Sequence, residues 1–148
     1  MKKEVTKKRS LIKNKTLIVG CGRLGSSMAN KCSLEGKNII VVDQNADAFD
    51  RLSDTFGGYT MVGDVTDPAF LEEAHISSVK EIIITTGDDN VNLFIAHIAR
   101  KIYDVPEIYV RLNNPENEVL LKGMGIKAIF PFELSYDKFN VLRGGKSR

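Results

Sequence analysis

The sequence has few of the residues from which redox and metal centres are built. Its 148 residues include two cysteines and two histidines. Cys21 and Cys32 show neither metal-site nor redox-pair spacing, and so little cysteine favours a reducing compartment, the cytoplasm. Cys32 shares a predicted helical face with Leu24 and Met28 and is interpreted as a core thiol. Cys21 lies in a glycine loop, where a small packing residue and a redox-sensing thiol are both compatible with the sequence.

Long apolar runs are also missing. No run approaches the ~20 residues that a membrane-spanning helix needs, and no apolar signal core follows the basic N-terminus. Charged residues make up 27% of the chain and hydrophobic residues 43%, which is ordinary for a soluble globular protein. We therefore expect one domain over residues 15–141, with tails at residues 1–14 and 142–148.

Acidic residues are scarce at the N-terminus. Residues 1–15 hold seven Lys or Arg against one Glu. This charge is compatible with a solvated tail, and also with an electrostatic contact to an anionic membrane surface or an acidic partner. Nucleic acid is not expected as a partner, because no interleaved basic and aromatic residues continue into the domain.

What is present is a regular alternation of strand and helix patterns with short connections. Apolar runs predict strands at Leu17–Gly20, Asn38–Asp43, Tyr59–Val62, Glu81–Thr86, Glu107–Leu112 and Lys127–Phe130. Caps and helical periodicity predict helices at Leu24–Glu35, after Asn45 (with Phe49, Leu52 and Phe56 on one face), from Pro68, at Asp89–Tyr103 (with Val91, Ile95, Ile98 and Ile102 on one face), from Pro115 and at Glu133–Val141.

Such alternation is typical of a Rossmann-like α/β fold, a doubly wound parallel sheet. For six strands the expected order is 3-2-1-4-5-6, in a single domain. Ligands of such sheets bind at the carboxyl ends of the strands, at the point between strands 1 and 4 where the order reverses. The sequence therefore predicts a ligand crevice at that edge.

A glycine motif, "GCGRLG" from Gly20 to Gly25, follows the first strand and opens the first helix. In this context Gly20 permits a tight turn, Gly22 lets the backbone approach a phosphate, and Gly25 lets the helix pack close to the strand. The helix N-terminus adds free N–H groups and about half a positive charge, which favours an anion. The motif predicts a phosphate-binding turn.

An acidic residue ends the second strand. Asp43 follows Gly25 by eighteen residues and is placed to accept hydrogen bonds from both ribose hydroxyls. A 2′-phosphate there would meet a carboxylate, and no Lys or Arg lies within the following "QNADAF". The sequence therefore favours NAD(H) or an adenine nucleotide over NADP(H).

Further residues at strand ends complete the predicted site. Asp64 is interpreted as an adenine acceptor or, alternatively, as a turn or cap residue, and Arg23 as a phosphate ligand or a surface arginine. Asp88 is expected to line the crevice and Asp89 to cap the next helix. The candidate binding residues are Gly20, Gly22, Arg23, Leu24, Gly25, Asp43, Gln44, Asp64, Val65, Thr85, Thr86, Gly87, Asp88 and Arg111.

Catalytic patterns are absent from the sequence. His75 and His97 have no motif partner and are interpreted as structural, and there is no Walker A lysine and no cysteine–histidine constellation. A dehydrogenase needs a proton donor or acceptor over the nicotinamide. Binding without turnover is therefore favoured, and a small NAD-dependent oxidoreductase, or the cofactor half of one, is the alternative.

Several segments taken together resemble one known family. "IVGCGRLGSSMA", "VVDQN", "GDVTDPAFLEEAHI", "IITTGDDNVNLFIAHIAR" and "YVRLNNPENEVLLKGMGI" occur in the order of the TrkA-N domain, over about residues 14–140. This is the nucleotide-binding part of potassium-channel regulators and of Trk and Ktr potassium-uptake systems.

The resemblance implies a function and partners. Family members bind NAD(H), ATP, ADP or AMP as signals, assemble as dimers and rings, and control a membrane potassium transporter or channel from the cytoplasm. It also implies that Arg23 lies at the phosphates and Arg111 near the ligand or the dimer contact. Typical subunits carry a further C-terminal subdomain that residues 1–148 do not include, so a free-standing sensor and a subunit completed by a partner are both open.

Apolar residues near the C-terminus suggest a homodimer. Leu93 and Phe94 extend the apolar surface of the fourth predicted helix, and "FELSYDKF" adds Phe132, Leu134, Tyr136 and Phe139. Exposed apolar patches of this kind usually mark interfaces.

Overall fold

The computed structural model of the chain describes residues 14–146. The basic tail predicted at residues 1–14 therefore lies almost wholly outside the described residues. The strands are β1 (Lys15–Val19), β2 (Asn38–Asp43), β3 (Tyr59–Val62), β4 (Glu81–Ile84), β5 (Glu107–Arg111) and β6 (Lys127–Ile129). The α-helices are α1 (Arg23–Leu34), α2 (Pro68–Glu73), α3 (Asp89–Lys101) and α4 (Pro131–Leu142), with 3₁₀ helices η1 (Ala46–Arg51) and η2 (Pro115–Leu121).

The six strands form one parallel sheet in the order β3-β2-β1-β4-β5-β6, which confirms the predicted fold. Val19, the last residue of β1, pairs with Val42 on one side and with Ile84 on the other. The carboxyl ends of β1, β2 and β4 therefore meet at one edge of the sheet, where the glycine turn leaves β1.

The two faces of the sheet bury separate cores. Leu17 and Val19 belong to the core under α2 and α3, whereas Ile18, between them, belongs to the core under α1 and η1. This is the period-2 alternation of a strand, in which neighbouring side chains point to opposite faces. Since both faces are covered, the strands read in the sequence as continuous apolar runs.

Two predicted helical faces are wrong in part. The segment after Asn45 is a 3₁₀ helix that ends at Arg51, so Leu52 and Phe56 lie beyond it, although both still pack on the core with Phe49. In α3 the helix ends at Lys101, and Ile102 is 67% exposed instead of facing the core. Leu52 has extended backbone angles, which end η1, and after Ile102 the Tyr103 N–H bonds five residues back to the Ile98 carbonyl oxygen, which closes α3.

The predicted apolar surface is present, with one correction. Phe132, Leu134, Tyr136 and Phe139 of α4 are all more than half exposed. Leu93, by contrast, is buried in the core, because its position in α3 faces the sheet. Of the predicted surface, Phe94 of α3, at 41% exposed, and the four side chains of α4 are therefore confirmed as exposed.

Two absences hold for residues 14–146. No helix there combines the length and apolarity needed to cross a bilayer. Nor does that part of the chain bring together three or more His, Cys, Asp or Glu side chains that could ligate a metal ion. Both cysteines are free; Cys21 is buried and Cys32 is half-buried against the core under α1, as its predicted role requires.

Candidate functional site

A crevice of about 420 Å³ lies at the carboxyl edge of the sheet. Its volume is within the range of small-molecule sites. It is lined by residues that the sequence analysis selected: Gly20, Gly22, Asp43, Gln44, Val65, Thr85, Thr86, Gly87 and Arg111. The predicted residues Arg23, Leu24, Gly25, Asp64 and Asp88 lie outside this lining.

A larger cavity, of about 550 Å³, lies between η2 and β6. Its lining includes Glu118 and Lys122 but no predicted site residue. We place the candidate site in the smaller crevice, because a glycine turn, a helix N-terminus and a strand-end carboxylate converge there and not in the larger cavity.

The three glycines of the turn are under different structural constraints. Gly20 has φ +97°, which L side chains rarely adopt. A Cβ on Gly25 would lie 1.9 Å from the carbonyl oxygen of Gly20, so close packing of α1 on the turn requires glycine there. A Cβ on Gly22 would have no protein atom within 4 Å. The protein's own packing therefore does not explain Gly22, and its role in the close approach of a ligand stays a prediction.

The N-terminus of α1 has donors without a side-chain cap. Gly22 is the N-cap residue, it makes no side-chain hydrogen bond, and the first turn contains no acidic residue. The first N–H groups of a helix have no intrahelical acceptor. Together with the helix dipole, they make this end of α1 suited to an anion in the crevice.

Asp43 is already engaged with the turn. Its Oδ2 accepts from the Cys21 N–H at 2.7 Å, and its Oδ1 accepts from the Asn45 N–H at 2.9 Å. A carboxylate has about four lone-pair sites, so the bonds that fix its orientation leave sites for ribose hydroxyls. This clamp between β2 and the turn was not predicted.

The environment of Cys21 disfavours a reactive thiolate. Burial, and then the nearby charge of Asp43, raise the pKa of the Cys21 thiol, and the positive charge of Arg51 opposes this shift. A protonated, buried thiol is a poor nucleophile. Cys21 therefore serves as the small packing residue of the two alternatives.

Asp64 forms a turn. Its Oδ1 accepts from the Thr66 N–H at 2.9 Å and from the Thr66 hydroxyl at 2.6 Å, and these bonds lower the pKa of the carboxyl. The turn alternative accounts for this aspartate within the chain. Its contact with adenine stays a prediction, as does the contact of the exposed Arg23 with phosphate.

The N-cap predicted at Asp89 is wrong, because Asp88 occupies that position. Asp88 has extended backbone angles and accepts from the N–H groups of Asn90 (2.8 Å) and Val91 (3.2 Å), so it is the N-cap of α3. Asp89 is the first helical residue and reaches the β5–η2 connection. There it accepts from the N–H groups of Asn113 (2.7 Å) and Asn114 (3.0 Å).

The pKa of Asp89 reflects this second set of contacts. Partial burial opposes ionisation, but hydrogen bonds from Asn113, Asn114 and Asn117 and the charge of Arg111 outweigh it and lower the pKa. Asn113 in turn accepts from Nε of Arg111 at 3.0 Å and donates to the Gly87 carbonyl oxygen at 3.2 Å. The side chain of Arg111 is thus oriented by a network that begins at Asp89.

Thr85 and Asn92 complete this half of the crevice. The Thr85 hydroxyl is buried and lies within hydrogen-bond distance of the carbonyl oxygens of Val19 (3.1 Å) and Gly20 (3.0 Å), which ties β4 to the glycine turn. Asn92, which was not among the predicted site residues, is buried behind Thr86 and Arg111 and hydrogen-bonded to both. Its position inside an apolar helical face was the available signal.

The histidines lie outside the crevice lining. His97 Nε2 lies 3.0 Å from the carbonyl oxygen of Leu120, and His75 has φ +69° after α2. Neither is placed to exchange a proton with a ligand in the crevice.

Comparison with known proteins places the chain in a family. The TrkA-N domain family matches residues 16–131. The Trk system potassium uptake protein TrkA of Streptomyces coelicolor is 30% identical over 113 residues, which are 76% of this chain and 51% of that protein. The chain thus spans about half the length of the curated relatives it matches.

Solved structures agree on the fold. The TrkA-N domain of the inner membrane protein ybaL from Escherichia coli has a TM-score of 0.75 at 22% identity, covering 88% of this chain and 98% of that one. The GsuK channel bound to NAD has a TM-score of 0.67 at 20% identity, covering 79% and 21%. The AMP-bound Kef C-terminal domain of Shewanella denitrificans has a TM-score of 0.67 at 20% identity, covering 90% and 83%.

Proposed function

The chain belongs to the TrkA-N domain family, and we propose that it is a nucleotide-binding regulatory subunit of a potassium-uptake or channel system. In this proposal an adenine nucleotide, NAD(H), ATP, ADP or AMP, binds in the crevice and changes the conformation that the chain presents to a membrane partner. The names of the curated relatives and the NAD- and AMP-bound neighbours support this assignment.

One observation carries the proposal. The crevice brings together an uncapped helix N-terminus at Gly22 and an oriented carboxylate at Asp43. The first suits phosphate and the second suits ribose hydroxyls. A 2′-phosphate would face the carboxylate, so NAD(H) and the adenine mononucleotides are favoured over NADP(H).

The site favours binding without turnover. Among the residues that line the crevice, the ionisable side chains are Asp43 and Arg111, and both are held by hydrogen bonds to neighbouring groups. General acid–base catalysis needs a group within reach of the proton it transfers. The proposed role of the nucleotide is therefore that of a signal.

Assembly and location form a second part of the proposal. The exposed apolar side chains of α4 suit contact with a second copy of the chain, giving a homodimer or a higher oligomer. The proposed location is the cytoplasm, at the inner face of the membrane through the transporter or channel partner.

A thermal-shift series with NAD⁺, NADH, NADP⁺, ATP, ADP and AMP tests the function. A ligand at 100 times its dissociation constant stabilises the fold by ~2.7 kcal/mol. We expect shifts with NAD⁺ or the adenine mononucleotides and a smaller shift with NADP⁺. Absence of any shift contradicts nucleotide binding, an equal shift with NADP⁺ contradicts the role of Asp43, and steady oxidation of NADH with a small carbonyl substrate would indicate an oxidoreductase.

A further inference from the structure

Asn92 is a polar residue within the apolar face of α3. Its side chain is fully buried, and Leu93, Ile95 and Ala96 beside it are buried apolar residues. An amide is unfavourable at such a position unless each of its hydrogen-bonding groups has a partner. Since an apolar residue would suit this part of the core, the amide needs an explanation of its own.

The partners of Asn92 are two residues of the crevice lining. Its Oδ1 accepts from the N–H (3.2 Å) and from the hydroxyl of Thr86. Its Nδ2 donates to the carbonyl oxygens of Thr86 and Arg111, each at 2.9 Å. An amide offers two donor hydrogens and two acceptor lone pairs. The full capacity of Asn92 is therefore used on Thr86 and Arg111.

These residues lie where the strand ladder no longer joins β4 to β5. The last pair of that ladder is Ile84 with Val110. Beyond it, Asn92 hydrogen-bonds to the backbone of both chain segments and takes the place of the missing ladder bonds. We propose that Asn92 is a positioning residue of the nucleotide site, which sets the spacing of Thr86 and Arg111 without touching the ligand.

This inference rests on the proposed function and predicts a split between ligands. The glycine turn and Asp43 belong to β1 and β2, so they receive the adenosine and phosphate that AMP shares with NAD⁺. Thr86 and Arg111 lie on the other side of the crevice, toward the second nucleotide of NAD⁺. Loss of Asn92 should therefore weaken NAD⁺ and spare AMP.

The experiment is calorimetric titration of the folded full chain with AMP and NAD⁺. Asn92→Asp is nearly isosteric and keeps an acceptor for Thr86, but it places an oxygen against the carbonyl oxygens of Thr86 and Arg111. Asn92→Ala removes all the hydrogen bonds of this side chain. We expect each variant to bind NAD⁺ at least tenfold more weakly and AMP within twofold of wild type. Asn90→Ala, an exposed asparagine of the same helix, should change neither affinity.

Each possible outcome of these titrations supports or overturns the positioning role of Asn92. Equal weakening of both ligands would mean that Asn92 only stabilises the fold, and unchanged affinity for both would mean that it positions nothing; either overturns the proposal while the proposed function stands. If Asn92→Ala does not fold, Asn92→Asp carries the comparison. Failure of the wild-type chain to bind AMP and NAD⁺ would overturn the proposed function, and this inference with it.

Discussion

The two halves of the crevice are built in opposite ways. On the β1–β2 side, the N-terminus of α1 has no side-chain cap, and Asp43 uses only part of its acceptor capacity. On the β4–β5 side, Asp88 caps α3, and the amide of Asn92 is fully used by Thr86 and Arg111. The first half therefore has polar groups that the protein itself does not use, whereas the polar groups of the second half are hydrogen-bonded within the protein.

This difference separates recognition from positioning. The first half is local in sequence, since the turn and the acidic residue of one β–α–β unit supply it. The second half joins the residues that follow β4, helix α3, the end of β5 and the β5–η2 connection, and most of these segments are distant from one another in the chain. Substitutions in the first half should therefore act on ligand affinity more directly than substitutions in the second, with Gly25 as the exception that the fold requires.

The largest expected effect is on stability and comes from a substitution at Gly25, in the first half. A Cβ there would lie 1.9 Å from the Gly20 carbonyl oxygen and 2.6 Å from the Thr85 hydroxyl oxygen. Gly25→Ala should lower the free energy of unfolding by about 3 kcal/mol or more, at the upper end of overpacking costs. Urea unfolding measures it, and an unchanged midpoint would contradict the close contact of α1 with the turn.

Asp43→Asn tests the β1–β2 half of the crevice by removing its negative charge. Hydrogen bonds to charged groups contribute about 1.5–3 kcal/mol, so NAD⁺ should bind roughly 10- to 100-fold more weakly. The preference for NAD⁺ over NADP⁺ should shrink, because the repelling carboxylate is gone. Calorimetry with both dinucleotides measures this, and an unaltered preference would remove Asp43 from the ribose site.

Asp89→Asn breaks the second half and should act on stability. The pKa of Asp89 in the folded state lies below its ordinary value. The ionised carboxylate therefore makes its full contribution to the free energy of unfolding above the unfolded-state pKa of ~3.9. This contribution is lost as the pH falls through the folded-state pKa. We expect a loss of about 1–3 kcal/mol at pH 7 that shrinks toward pH 3. Unfolding curves across this range, with the exposed Asp54→Asn as control, measure it; a loss independent of pH would contradict this assignment.

The smallest expected effect is on association through α4, the helix that contacts Arg111 of the second half. The Arg111 guanidinium lies 6.0 Å from the ring centroid of Phe132, the second residue of α4. If α4 forms the homodimer contact, Phe139→Asp should weaken association about tenfold, while Leu34→Asp, on exposed α1 surface, should not. Light scattering at roughly tens of micromolar tests this, and a monomeric wild-type chain would contradict the homodimer.

The glycine turn and Asp43 could be selected from the sequence, whereas Asn92 could not. The strand Asn38–Asp43 and the glycine turn are adjacent in the chain, and their patterns have a direct physical meaning. Asn92 lies six residues from Thr86 and nineteen from Arg111, so its role depends on a fold that no local pattern contains. The N-cap was predicted one residue too late, at Asp89 instead of Asp88, for a similar reason, because either aspartate fits a helix start until the β5–η2 connection is in place.

The most direct test of the central claim is calorimetric titration of Gly22→Ala with AMP and NAD⁺. The space around Gly22 and its extended backbone accept a methyl group, so the variant should fold and lose at most about 1 kcal/mol of stability, since alanine is a poorer N-cap than glycine. If phosphate approaches this backbone, both ligands should bind at least about tenfold more weakly, a loss of about 1.4 kcal/mol. Wild-type affinity in a folded Gly22→Ala chain would contradict a nucleotide at the N-terminus of α1.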